Sequence, residues 1–523
     1  MARHAQKAYL VSANDRILLF ERRKTPKEVG HEEFLALVRG ANTPTYKHIF
    51  GWHDGKALPP IKALAALGEA LIHKPYASSD DSDIPAGYTY FGQFIFHDIS
   101  FMGPGKDPPN DRTPALDLDS VLRIDAAVMP GTGCHDSGPL PIGCTSGSVV
   151  MAEDLPRVDL ELPEEGKPLI VDSRNDDFLP LAQCHVALLK FFNAIAKREG
   201  YDPAKKGSYD KVWWQKVRRI WLQHFQSAVL HDYLPRIVDR SSFRSVMQHG
   251  RCIVKAGASS QNPDWLPIEF GAAVARFGHS MIRDAYRPWN RIEGLARLSE
   301  FMESSYANSG DKLSSSAHRL LRNWVTNWFL LLDFSGTAYD ALAIEPIKAS
   351  KINLSLSPAL ASLPSCLFDE LCSNPAPGDV FALAEETMKT GHELGLATAQ
   401  HAVFLTNVAL ASKQQPPLAY LLPEQIPTDD PSVRQAFTEH PDLLTRTPLW
   451  YYILREAEHF GGGCHLGPLG SRIVMETVHA AIESSANSIL SQPAWRPQLP
   501  SANLRHFSMP DLIAMAGHPN PIG

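Results

Sequence analysis

The chain has 523 residues, 44% of them hydrophobic and 20% charged, the balance of a folded globular protein. Its net charge of −7 provides no basic stripe, which excludes a nucleic-acid footprint. The first thirty residues lack the apolar core of a secretory leader, and no later run reads as the ~18 or more apolar residues that span a bilayer.

Residues 1 to about 80 are mixed in character, with one short amphipathic stretch, "IKALAALGEALI". They read as an N-terminal extension packed on a larger unit covering 81–523. Turn chemistry in "ASSDDSDIPAGYTY" precedes an aromatic segment, "FGQFIFHDISF", at 91–101. From 102 to 170 the chain is dense in Gly, Pro, Ser and Asp and reads as long loops. Helical periodicity then dominates. In "VRRIWLQHFQSAVL", Val217, Ile220, Trp221, Phe225 and Ala228 follow the spacing of one helix face. In "TPLWYYILREAEHFGGG", Thr447 is placed as an N-cap, Pro448 lies in the first turn and Gly461 is a stop. Alternating strands are scarce and no linker divides the helical part. The expected fold is mainly α: one large helical domain with long loops and little β structure. The seven cysteines are odd in number and include no Cys-x-x-Cys pair. They suit reduced thiols and a cytoplasmic location, with leaderless export left open.

Three segments put polar residues where apolar ones belong. If 91–101 is a helix, Gln93 and His97 share a face at i and i+4, and Asp98 points about a quarter-turn away. Taken alone, a core helix whose His and Gln bond to neighbouring carbonyls accounts for this. In "SRNDDFLPLAQCHVALLKFFNAIAKR", Arg174, Asn175, Asp176 and Asp177 lead into an apolar helix with His185 and Asn193. Acidic residues at a helix start need no special function. In "LPIEFGAAVARFGHSMIRDAYRPW", small residues permit close approach to something bulky, and His279 lies among Phe270, Phe277 and Met281.

Together, and with "TPLWYYILREAEHFGGGCHLGPLGSRIV" further on, these segments resemble the animal-type haem peroxidases of the peroxidase–cyclooxygenase superfamily, in particular their bacterial branch. The likeness extends from about residue 85 to about 500. It implies a haem b whose iron is bound by His279 as proximal ligand, leaving the opposite face open to peroxide. It makes His97 the distal base, Arg174 the distal cation that stabilises charge as the O–O bond breaks, and Gln93 the distal glutamine. It also implies a calcium ion held by Asp98 and by "TPALDLD": Thr113, the Ala115 carbonyl, Asp117 and Asp119. A short polar turn is the plainer account of that loop if Asp98 is left aside.

The chain departs from the family pattern at several positions. Phe96 stands where an Asp forms one haem ester, and Phe178 where a Met forms a sulfonium link. Asp177 occupies the Glu position of the second ester, so at most one ester link is expected, through Asp177. Thr387 falls where an Asn usually accepts the N–H of the proximal histidine. The implied activity is oxidation of a small organic reductant or metabolite, halides being a further option, by hydrogen peroxide through a ferryl state. A dedicated biosynthetic oxidase and a fatty-acid oxygenase are the alternatives on the same fold. The oxygenases place a radical-forming Tyr three residues before the proximal His, where this chain has Arg276. Tyr286 is a tyrosine elsewhere. The "HELGL" at His392 lacks the second His of a zinc-protease helix.

Overall fold

In the computed structural model of the chain, the described residues are the strands at 7–11, 17–21 and 27–29, followed by 44–72, 81–103, 105, 108–122, 140–146, 151–157, 168–205, 209–254, 265–304, 319–361, 363–364 and 380–523. Much of the loop-rich stretch expected between 102 and 170 lies outside them, as do Cys134, Cys366 and Cys372. The fold is mainly α, as the periodicity predicts. Its main helices are α1 (Ile61–Ile72), α2 (Gly87–Ile99), α3 (Leu179–Arg198), α4 (Lys211–Ala228), α5 (Arg240–His249) and α6 (Ile268–Ala272). They are followed by α7 (Leu383–Glu393), α8 (Ala399–Ser412), α9 (Pro431–Glu439), α10 (Leu449–Gly461), α11 (Pro468–Ser484) and α12 (Met509–Ala516).

Strands are short and peripheral. β1 (Lys7–Val11), β2 (Ile17–Glu21) and β3 (Lys27–Val29) form an antiparallel sheet in that order. β4 (Thr45–Lys47) runs parallel to β6 (Trp265–Pro267), and β5 (Asp81–Pro85) antiparallel to β7 (Lys348–Ser350). Both pairings position the helices that follow. β6 leads directly into α6, whose buried Glu269 accepts the backbone N–H groups of Ile49 and Phe50. β5 leads into α2. That helix has no side-chain N-cap. The N–H groups of Ala86 and Gly87 instead donate to the carbonyls of Ile347 and Leu331, at 2.8 Å each.

The core wraps α2. Phe94 meets His185 of α3 and Phe225 of α4 edge to face, with ring centres 5.9 and 6.4 Å apart. Gly92 faces Tyr233 so closely that a Cβ there would lie 2.3 Å from the phenol oxygen, so α2 needs glycine at that turn. In α3, 16 of 20 residues are buried. By length and composition Leu179–Arg198 is the one described helix that could cross a membrane, but most of it is buried inside the fold. Its side chains are covered by α2, α4 and α12 instead.

Two smaller readings are corrected. α10 begins at Leu449 with Pro448 as its N-cap residue. Thr447 spends its hydroxyl on the Leu443 carbonyl and on Gln400 of α8. A competing side chain on another helix, invisible to local pattern, took the capping group. Cys144 is disulfide-bonded, while Cys184, Cys252 and Cys464 are free. The cysteines therefore give no argument for a reducing compartment.

Candidate active site

α2 carries the first half of the site. Eleven of its thirteen residues are buried, and the two that are not are Gln93 and His97. The spacing that set them apart in the sequence thus puts them on the one stripe of the helix left uncovered by protein. His97 Nδ1 lies 3.1 Å from Asn175 Oδ1, and the Asn175 amide nitrogen lies 3.2 Å from His185 Nδ1. One self-consistent assignment has His97 Nδ1–H donating to the amide oxygen and the amide N–H donating to His185. That leaves His97 Nε2 as an unprotonated acceptor. Burial, reinforced by the positive charge of Arg174, pushes the His97 imidazole down to about 3, so the ring is neutral at ordinary pH.

Arg174 sits on a tight 3₁₀ turn, Ser173–Asp176, capped by the Asp172 side chain. Its Nη2 donates to the carbonyls of His97 and Ser100, at 3.2 and 2.9 Å, and to Asp172 at 2.8 Å. The guanidinium also lies 4.1 Å from the Phe101 ring centre. Arg174 therefore terminates α2: a cation satisfies the last carbonyls at the negative end of the helix dipole. Burial would raise the Asp172 carboxyl, but Arg112 and Arg174 hold it well below the ordinary carboxylate range. Sequence alone reads Asn175 and Asp176 as a polar helix start and gives Asp172 no signal of its own. Asn175 orients His97, Asp172 holds Arg174, and Asp176 receives a bidentate bond from the buried Arg157. Their adjacency to Arg174 was the only local signal.

The second half is the segment after α6. Val274–Met281 is a 3₁₀ helix that carries His279. Phe277 from this segment, and Phe270 from α6, pack edge to face on Phe96 of α2, with ring centres 6.0 and 5.1 Å away. Phe96 is thereby a core residue joining the two halves. His279 lies deep yet keeps part of its ring accessible. Burial, with Arg276 adding to it, pushes the imidazole down to about 3. Its Nδ1 is shielded and has no hydrogen-bond partner among the described residues. A Cβ on neighbouring Gly278 would meet nothing within 4 Å. A neutral imidazole beside open space is in the form that binds a metal, which would be through Nε2 because Nδ1 is shielded.

The remaining predicted residues are placed as follows. Phe178 is buried and forms the N-cap position of α3; Asp177, beside it, is half-buried, and its backbone N–H donates to the Arg174 carbonyl. Thr387 is buried in α7, its hydroxyl without a partner among the described residues. Tyr286 is buried and shares a 2.7 Å hydrogen bond with Tyr90 of α2.

The loop at 113–120 closes on Asp98. Asp98 accepts the N–H groups of Leu118 and Ser120 and the Ser120 hydroxyl. Thr113 Oγ1 bonds to both Asp117 and Asp119, and the Ala115 carbonyl accepts the Asp117 N–H. Burial raises the Asp98 carboxyl, and Asp119 and Asp117 raise it further; Asp117 is pushed up to about 7 by burial and by Asp119. Such a set of hard oxygens is chemically suited to a cation. Among the described residues, however, no three acidic, His or Cys side chains stand in a metal-ligating arrangement, because these carboxylates are turned onto loop amides and the Thr113 hydroxyl.

The mainly helical fold is similar to those of a peroxidase and of two fatty acid alpha-dioxygenases. Peroxidase A from Dictyostelium discoideum superposes with a TM-score of 0.57 at 14% identity, covering 92% of this chain and 95% of that one. The fatty acid alpha-dioxygenase of Oryza sativa gives 0.53 at 10% identity, with 90% and 78% covered. That of Arabidopsis thaliana gives 0.53 at 12%, with 92% and 75% covered. Residues 145–330 match the model of the animal haem peroxidase family. Over 113 residues it is 31% identical to Heme peroxidase 2 of Caenorhabditis elegans, a match spanning 21% of this chain and 16% of that protein. The family match includes Arg174, Asp177 and His279 and starts after Gln93 and His97.

Proposed function

We propose that the protein is a haem-dependent peroxidase that uses hydrogen peroxide to oxidise small organic molecules, with halides as a further substrate class. The observation that carries this reading is the pairing of two deep, neutral imidazoles on elements packed against each other. One belongs to α2, whose uncovered stripe is Gln93 and His97; the other is His279, with its unmatched Nδ1. Bound haem would supply the redox-active iron that takes oxidising equivalents from peroxide. His279 would hold that iron. His97, its Nδ1 fixed by Asn175, would take a proton from peroxide at Nε2 and return it to the departing oxygen. Arg174 would add positive charge beside His97, and Gln93 a polar group one turn away. Residues 1–80 would be an extension on this catalytic unit.

Arg276, three residues before His279, favours the peroxidase over the oxygenase. Phe96 is enclosed by Tyr233, Phe270 and Phe277 and has no carboxylate, so an ester to haem is left to Asp177 alone.

The test is an absorption spectrum of the purified protein, with and without peroxide, followed by acid–acetone extraction. A Soret band that changes with peroxide is expected. Haem in the organic layer would mean that Asp177 forms no stable ester; haem kept on the chain would assign one to it. Absence of a Soret band after haem is supplied would overturn the reading.

Calcium belongs to the same proposal. An ion would relieve the mutual repulsion of Asp98, Asp117 and Asp119 and tie α2 to the 113–120 loop. Adding calcium to chelator-treated protein is expected to raise Tm by on the order of a few degrees, and Asp98→Asn should abolish that response. An unchanged Tm in the parent would show that Asp98 only anchors the loop.

A further inference from the structure

A cavity of about 30 Å³ lies between α1, α7 and the start of α10. Leu64, Ala273, Thr387, His392, Leu449 and Trp450 are among its walls. Most of that lining is apolar; of its five polar side chains, Thr387, His392, Thr398, Thr447 and Trp450, three share one property. Thr387 Oγ1, His392 Nδ1 and Trp450 Nε1 are all shielded from solvent, and none has a hydrogen-bond partner among the described residues. Thr387 and Trp450 are each only 1% exposed. Buried polar groups are normally satisfied, so three unmatched ones around a single cavity point to a bound group that the protein does not itself supply.

We infer that this cavity is an internal water site that bridges Thr387, His392 and Trp450. The volume is enough for water, since roughly 10–15 Å³ of such space already holds one molecule. The donor count also closes. The Trp450 indole N–H can only donate, so the water oxygen accepts from it. The two water hydrogens then serve His392 Nδ1 and Thr387 Oγ1. His392 stands at the entrance: it is half-exposed, and a Cβ on Gly55 would lie 3.9 Å from its Nε2, on the other side of the ring. Ala273, in the wall, is the residue that enters the segment carrying His279.

A crystal structure of the full chain, with whatever haem it carries, tests the site. Expected is water density within hydrogen-bond distance of Thr387 Oγ1 and Trp450 Nε1, lost in Thr387→Val and restored in Thr387→Ser. In solution, the Trp450 indole proton should show magnetisation exchange with water in the parent. This second measurement stands even if the valine variant does not fold. A dry cavity, or water density that Thr387→Val leaves unchanged, would overturn the inference. Both readouts concern water and not turnover, so they remain decisive if the peroxidase reading fails.

Discussion

His279→Ala is expected to give a folded chain that carries at least about tenfold less haem than the parent, since loss of even an outer partner of a metal ligand costs on the order of 10–100-fold in affinity. The argument rests on where His279 sits. The 3₁₀ segment Val274–Met281 is clamped to α2 through Phe277 and Phe96, so the imidazole is held in a fixed position. Burial keeps the ring neutral, the form that binds metal. Alanine removes the donor and leaves the clamp intact. The measurement is the ratio of haem to protein after loading, with far-UV circular dichroism as the check on folding. Full haem content in a folded His279→Ala chain would remove His279 as the iron ligand, and the assignments of the opposite face would lose their reference point.

The second large effect is expected at His97. His97→Ala should slow the peroxide-induced change in the haem spectrum by about 10²–10⁴-fold, the usual contribution of a positioned acid–base group, with haem content unchanged. Asn175→Ala should cause a smaller loss of the same kind, because the ring stays but its orientation is released. Arg174→Ala is a poorer probe, since its guanidinium also closes the C-terminus of α2.

The pH dependence separates a buried base from a solvated one. With the imidazole pushed down to about 3, His97 stays deprotonated over roughly pH 5–8, and the reaction should be flat on its account there. A rate that falls with a midpoint near an ordinary imidazole, and that His97→Ala abolishes, would contradict the buried position. The same shift has a sign for stability. The unfolded chain takes up a proton on this imidazole as pH falls through its ordinary value, while the fold resists doing so down to about 3. Stability on this group's account is therefore present above the unfolded value and lost progressively below it.

Much of the site was legible because periodicity and chemistry agreed. Gln93 and His97, one turn apart in an otherwise apolar run, could share only one stripe of a helix, and that stripe is the uncovered one. The helical class followed from the same three-and-four spacing, and α4 buries the face that the spacing marked. The misreading of Thr447 has a physical cause, which is competition from a residue distant in the chain: its hydroxyl is engaged by Gln400 of α8.

By itself, then, the sequence determined the helical architecture and the residue types proposed for the chemistry, since both are local: side-chain spacing sets a helix face, and an imidazole can act as base or ligand wherever it stands. Only the tertiary structure decided how those residues are held. Asn175 on His97, Asp172 on Arg174 and Phe277 on Phe96 are contacts across 78, 2 and 181 positions of chain. Even the short-range one depends on Arg112 and the end of α2 meeting the same carboxylate and guanidinium. Burial, which lowers both imidazoles and leaves Thr387 and Trp450 facing a shared cavity, is likewise a property of the assembled core and not of any segment.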